Sequence, residues 1–419
     1  MTTTITVTPA APNFDDVLHV DMPPAPAGAV LNVRLTDPRG GTYTSTTALP
    51  LPDTDTDPVT AMRWLWAMNP TSEPDPADPP NALAPTTVRM AVTCDERQLA
   101  ETTVMRVRMP AGIVREEVRG PGLVGTLFHP VRGRWPGVVL LGGAEGGMHE
   151  DDAALLARHG FAVLALAYYG LPGLPAVMTD VSVETFAHGA RWVLAHPHVT
   201  GKQVGVMGGS KGGEAALLAA ATYPKFGAAV SIVGSGVVTS GISQSVLGGN
   251  FLDILGTPAS CFTHRGQPLP FLPNVIPAEL RAAVAAGDPV AMRLAFDPAL
   301  ELSDALGAAT IPVERIQGPV LLVSSTDDAG YGPRFHDIAA DRRHRAGQPI
   351  THLLHEDAGH AIAAPPWAPT TRHTTPGPGV TLTSRGSDQA DARARWETWQ
   401  SAINFLRDAL TDTANLDRR

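Results

Sequence analysis

Gly208-Gly209-Ser210-Lys211-Gly212 is a G-x-S-x-G sequence, the pattern that lifts a serine hydroxyl onto a sharp turn between a strand and a helix. The apolar run Val204 to Met207 precedes it and a helix-like run, Glu214 to Ala221, follows it. The turn brings backbone segments too close for Cβ atoms, which is why glycines flank the serine. A serine hydroxyl attacks a carbonyl only if a base takes its proton and a third group holds that base in place. Two later loops supply the partners. Thr326-Asp327-Asp328 follows the apolar run Pro319 to Ser324, and Asp357-Ala358-Gly359-His360 follows Thr351 to His355. The chain order is therefore Ser, Asp, His, as in α/β-hydrolases. Asp328 is the expected orienting acid and Asp327 the alternative; His360 is the expected base.

Acyl transfer puts negative charge on the former carbonyl oxygen, so the site also needs preformed donors. Gly142-Gly143-Ala144-Glu145-Gly146-Gly147 follows the first apolar strand, where such enzymes place half of an oxyanion hole. The expected donors are the backbone N–H of Ala144 or Glu145 and that of Lys211. No G-K-[ST] follows these glycines, which argues against a phosphate-cradling loop. The Lys211 side chain is expected in an ion pair at the surface or behind the site. His352 and His355, three apart in a strand, fall on opposite faces and suit structural roles better than metal binding. No cofactor or metal is expected.

Positioning these loops requires a sheet. After Pro110, short apolar runs at Gly137 to Leu141, Phe161 to Ala167, Gln203 to Met207, Ala228 to Val233 and Pro319 to Ser324 alternate with helical patterns, as buried parallel strands do. Trp396, Trp399, Ile403, Leu406 and Leu410 mark one face of a final helix. From about Ser235 to Ile311 the rhythm breaks, which suggests an insertion able to cover the site. Before Pro110 the period is two: Leu31, Val33 and Leu35; Val88, Met90 and Val92; and Met105, Val107 and Met109 alternate with polar residues that should face outward. Trp64 and Trp66 fit one face of a strand, and the Pro-rich stretch Thr71 to Pro85 reads as a loop. The expected architecture is a β-sandwich over residues 1–112 and an α/β-hydrolase domain with a mostly parallel sheet over 113–419, its cap at about 235–310.

The 419 residues carry 31 Lys plus Arg against 41 Asp plus Glu, a net charge of −10 that excludes nucleic-acid binding by composition. With 43% apolar and 17% charged residues the chain can bury a large core. Its two cysteines, Cys94 and Cys261, lie far apart, so neither a disulfide framework nor a zinc finger is implied; buried, inert thiols are expected. Met1 to Asp16 has no basic segment leading into an apolar core, so a secretory signal is not expected. Gly170, Pro172, Gly173 and Pro175 interrupt the longest uncharged stretch, which argues against a membrane span. A cytoplasmic location is expected.

Six stretches together resemble the acyl-CoA thioesterase and bile acid-CoA:amino acid N-acyltransferase family: AMRWLWAM (Ala61 to Met68), the LLGGAEGG loop, GFAVLALAYYGLPGLP (Gly160 to Pro175), HPHVTGKQVGVMGGSKGGEAALL (His196 to Leu218), IPVERIQGPVLLVSSTDD (Ile311 to Asp328) and EDAGHAIAAPPWAPT (Glu356 to Thr370). The resemblance implies an immunoglobulin-like first domain fused to an α/β-hydrolase domain acting on acyl-CoA thioesters. It places the triad on Ser210, Asp328 and His360. Relatives that transfer acyl groups to amino acids typically carry Cys as nucleophile, so Ser210 resembles the hydrolytic branch. The competing expectations are an acyltransferase to an amine or alcohol, an esterase or lactonase, and a catalytically silent binding protein with the same fold. The insertion is the least similar part, and acyl-chain selectivity is expected there.

Overall fold

The computed structural model describes residues 4–38, 40–53, 57–72, 83–95, 97–242, 250–370, 373–377 and 380–416. The central element is an eight-stranded sheet. Its strands are β1 (Ile113–Gly120), β2 (Leu123–Pro130), β3 (Trp135–Leu141), β4 (Ala162–Ala167), β5 (Val199–Gly209), β6 (Phe226–Ile232), β7 (Val320–Ser325) and β8 (Thr351–His355). They lie in the order β8-β7-β6-β5-β3-β4-β2-β1. Pairing is parallel from β4 through β8, and β1 and β2 add antiparallel at one edge. The apolar runs become strands because helices cover both faces. Every residue of β4 and β6 is buried, so neither needs a polar face.

Five helices flank the sheet: α1 (Glu150–Arg158), α2 (Glu184–Ala195), α3 (Lys211–Thr222), α4 (Arg334–Arg345) and α5 (Asp388–Leu416). The face of α5 carrying Trp399, Ile403, Leu406 and Leu410 packs into one half of the core with Val138, Val230 and Leu321. Helices α2 and α3 fill the other half with Phe186, Ala190, Leu217 and Ala220. This is an α/β-hydrolase fold with an N-terminal antiparallel β domain.

In that N-terminal part, Val30–Thr36, Thr42–Ala48, Asn69–Ser72, Thr86–Cys94 and Arg97–Arg106 form a five-stranded antiparallel sheet. Leu31, Val33, Leu35, Val88, Met90 and Val92 are buried, as their alternation predicts. The third alternating set is reversed at its first pair, where Met105 is 54% exposed and Arg106 is 0% exposed; Val107 and Met109, beyond the strand's end, are half-buried. The Arg106 guanidinium lies over the Phe14 ring and donates to the carbonyls of Phe14 and Trp367, so it ties the two parts of the chain together. A cation that donates to two carbonyls and lies over an aromatic face can be buried where alternation alone would place it outside, even with its Nε left unpartnered.

Trp64 and Trp66 are buried, but in the helical turn Arg63–Trp66 rather than on a strand. Leu65 between them is buried too, which period-two exposure forbids. Asp57 caps the preceding turn, Pro58–Ala61, by accepting from the Val59 N–H, and Pro58 sits at its start; these were the helix signals in the sequence. Of the Pro-rich stretch expected as a loop, Thr71 and Ser72 end a strand, and residues 73–82 lie outside the described set. Cys94 and Cys261 are free thiols; Cys261 is buried and Cys94 is only partly so. Among the described residues, no helix is long and apolar enough to cross a membrane.

Candidate active site

Strand β5 ends at Gly209 and α3 begins at Lys211, which leaves Ser210 alone on the turn with φ 53° and ψ −122°. This is a left-handed conformation that a non-glycine residue adopts only when its surroundings enforce it. Three backbone hydrogen bonds enforce it. The Ser210 N–H donates to the Ile232 carbonyl at 2.8 Å, and its own carbonyl accepts from the N–H groups of Gly213 and Glu214. The motif glycines are sterically required: a Cβ on Gly208 would lie 2.3 Å from the Gly212 carbonyl oxygen, and one on Gly212 would lie 2.5 Å from the Gly142 carbonyl oxygen. That second approach brings the start of α3 against the Gly142–Gly147 loop.

His360 Nε2 lies 2.9 Å from Ser210 Oγ, and His360 Nδ1 lies 2.7 Å from Asp328 Oδ1. The backbone positions this imidazole, because the His360 N–H donates to the Ser384 carbonyl at 2.8 Å. Asp328 is fully buried, and its Oδ1 also accepts from the Gly330 N–H at 2.6 Å. Asp327 turns the other way, to Arg385 at 2.8 Å and the Gly386 N–H at 2.9 Å. The structure thus brings Asp328, and not its neighbour, to the imidazole. Burial opposes charge on His360, but Asp328 beside it, with a further contribution from Glu145, raises its pKa above the ordinary imidazole value.

On the oxyanion side, the Lys211 N–H stands at the first position of α3, where no carbonyl of its own helix can accept from it. Ala144 and Glu145 occupy the exposed tip of the facing loop. The Glu145 carboxylate folds back to accept from the Gly143 N–H at 2.7 Å and meets His149 Nε2 at 2.6 Å. Burial opposes charge on His149, yet Asp152 and Glu145 push its pKa up to about 11. Tyr168 donates to the Gly142 carbonyl at 2.7 Å and Tyr169 to that of Gly143 at 3.4 Å. These hydroxyls hold the loop by its carbonyls. Sequence reasoning missed them, although the Tyr-Tyr-Gly following an apolar strand was the visible signal.

The Lys211 side chain is buried, not at the surface. Its ammonium lies 3.0 Å from Glu214 Oε2 and 3.1 Å from the Thr239 carbonyl. Thr239 in turn donates to Glu214 and meets the Tyr331 hydroxyl at 2.9 Å. Burial works against the ammonium, but the adjacent carboxylate prevails and holds the Lys211 pKa above its usual range. Glu214→Ala would leave this charge buried and unpaired. It should destabilise the protein by about 3–5 kcal/mol in urea unfolding, as removal of one member of a buried pair does.

Thr239 belongs to the segment expected to cover the site. So does Arg293, which donates to the Asp328 carbonyl at 3.3 Å. Residues 243–249 of that segment lie outside the described set. His352 and His355 are on opposite faces as expected. The first bonds Ser324 at 2.9 Å on the α4 side, and the second bonds Thr398 of α5 at 3.1 Å.

The chain as a whole is similar to other proteins. Residues 181–412 match the family described as BAAT / Acyl-CoA thioester hydrolase C terminal. The chain is similar to a peroxisomal succinyl-coenzyme A thioesterase of Mus musculus, 29% identical over 326 residues, covering 74% of this chain and 69% of that one. Similarity to acyl-coenzyme A thioesterase 1 of Homo sapiens is 30% over 322 residues, covering 74% and 69%. Similarity to acyl-coenzyme A amino acid N-acyltransferase 1 of Mus musculus is 30% over 334 residues, covering 75% and 70%. With a family match spanning the loops that carry Ser210, Asp328 and His360, and relatives that extend it towards the N-terminus, the chain belongs to the acyl-CoA thioesterase and amino acid N-acyltransferase family and is an enzyme of the hydrolase type.

Proposed function

We propose that this enzyme hydrolyses an acyl thioester of the acyl-CoA class through an acyl-enzyme on Ser210. The observation that carries the reading is the continuous relay from Ser210 Oγ through the two nitrogens of His360 to Asp328 Oδ1, at 2.9 and 2.7 Å. His360 takes the hydroxyl proton as Oγ bonds to the thioester carbonyl carbon, and the oxyanion is held by the backbone N–H groups of Lys211 and Ala144. Collapse of the tetrahedral adduct breaks the C–S bond, and the thiolate leaves with the imidazolium proton available to it. A thiol of pKa about 8.5 needs less help in leaving than an amine. Water, deprotonated by His360, then attacks the acyl-serine and releases the acid. Asp328 fixes the tautomer with the proton on Nδ1 and stabilises the imidazolium formed in each step.

A fluorophosphonate probe tests the first half: tryptic mass spectrometry should find the adduct on Ser210, and an unlabelled Ser210 in protein that turns over a thioester would refute it. The similarity to an amino acid N-acyltransferase supports a second reading, in which an amine replaces water. Incubation of an acyl-CoA panel with and without amino acids separates the two. Free acid at an unchanged rate supports hydrolysis, whereas an amide that accumulates at the expense of the acid supports transfer.

The pH dependence follows from the relay. His360 accepts a proton only when neutral, and Asp328 holds its pKa above the ordinary value of about 6.5. On acidification the enzyme therefore loses its base early, and the acid limb of kcat/KM should have its midpoint above pH 6.5. A midpoint below that value would contradict the geometry.

A further inference from the structure

At the edge of the sheet, β1 and β2 bring together residues that the reaction does not use. Val114 pairs with His129 and Glu116 with Leu127, so Glu116 and His129 share a face two residues apart along the strands. The loop between α2 and β5 lays His196 over them, with its Nε2 3.2 Å from Glu116 Oε2. One ligand atom from each of Glu116, His129 and His196 lies within 4.8 Å of the other two. Ligand atoms around a tetrahedral zinc ion sit about 3.3 Å apart, a spacing these side chains reach with small rotations. From this cluster we infer a binding site for one divalent transition-metal ion of the zinc class, with Glu116, His129 and His196 as protein ligands.

Hydrogen bonds set the imidazoles for it. His129, only 3% exposed, donates its Nδ1 proton to the Pro130 carbonyl at 2.9 Å, which leaves a lone pair on Nε2. A backbone carbonyl on the far nitrogen is the usual support of a metal-bound histidine. His198 stacks on His129 with ring centroids 4.5 Å apart and donates its own Nδ1 proton to the Gly133 carbonyl at 2.9 Å. His196 Nδ1 accepts a long contact, 3.4 Å, from the His198 N–H. When the ion takes the place of the proton between His196 and Glu116, that proton moves to Nδ1 and the long contact is given up. Two imidazoles and one carboxylate select zinc-like ions over magnesium or calcium, which take oxygen ligands. A fourth position is left for water or His198.

The site lies at the opposite end of β5 from the triad. That strand has 11 residues between His198 and Ser210, roughly 35 Å of extended chain. The ion would therefore clamp the edge strands to the α2–β5 loop and raise stability without entering the reaction.

The test uses full-length protein without an affinity tag, stripped with a chelator and titrated with Co²⁺ and then Zn²⁺. We expect one Co²⁺ per chain with visible d–d bands, displacement by Zn²⁺, and a Tm that rises with free zinc. Loss of an outer-sphere partner already costs about 10–100-fold in metal affinity, so Glu116→Gln and His196→Gln should each weaken Zn²⁺ binding at least about tenfold. The Glu116 side chain is 46% exposed and Gln keeps an oxygen to accept from His196 Nε2, so the stripped Glu116→Gln protein should melt near the wild-type temperature. Absence of saturable one-to-one binding, or affinity unchanged in both variants, overturns the site. No readout depends on thioester turnover, so failure of the triad reading would leave this test intact.

Discussion

Ser210→Ala should lower thioester hydrolysis by about four orders of magnitude or more in kcat while leaving the fold and substrate binding in place. The size follows from the division of labour at the site. Without Oγ there is no atom 2.9 Å from His360 Nε2 to take up the acyl group, so the covalent route closes. On the proposed mechanism the backbone N–H groups of Lys211 and of Ala144 or Glu145 would still hold a carbonyl oxygen, so a residual rate above the uncatalysed one is expected. Alanine at a φ of 53° is strained no more than serine, so thermal unfolding should change little. Steady-state kinetics with a panel of acyl-CoA substrates and a melting curve on the same preparation check both halves. Full turnover by the variant would remove Ser210 from the mechanism.

Asp328→Asn should cost about 10⁴-fold in kcat, and Asp327→Asn less than about tenfold. An amide can present N–H to His360 Nδ1, and that favours the tautomer whose Nε2 carries the proton and cannot accept one from Ser210. The acid limb of kcat/KM should also fall with Asp328→Asn, because the carboxylate that raises the imidazole pKa is gone. Asp327 meets Arg385 and the Gly386 N–H instead, so its loss disturbs a loop rather than the relay. Equal effects of the two substitutions, or a larger one from Asp327→Asn, would contradict the assignment.

The parallel strands, the serine turn and the final helix are readable from residue order because each rests on local rules. An apolar run of strand length, glycines where a Cβ would strike backbone at 2.3–2.5 Å, and apolar residues three and four apart mean the same thing in most contexts. Where the reading failed, a distant partner had changed the rule. Arg106 is buried because the carbonyls of Phe14 and Trp367 accept from its two terminal nitrogens, and Trp367 is 261 positions away. Lys211 is a different case: the expectation left its ion pair open between the surface and a place behind the site, and the ammonium is buried against Glu214, three residues on, and Thr239. Trp64 and Trp66 sit on a helical turn that directly follows another, Pro58–Ala61, whose start signals, Asp57 and Pro58, were in the sequence but outweighed by a W-x-W alternation.

What the sequence by itself determined was the candidate chemistry: a serine on a glycine-framed turn, and an acid and a histidine each placed just past a strand, in an order that a doubly covered sheet can gather at one edge. Only the tertiary structure decided between Asp327 and Asp328. Both follow β7 within three residues, and which carboxylate reaches His360 depends on where the Gly359 and Arg385 loops, 31 and 57 residues beyond Asp328, pack against them. The gathering of Glu116, His129 and His196 was likewise hidden. It comes from strand register and one loop crossing, and residue order along the chain prints neither.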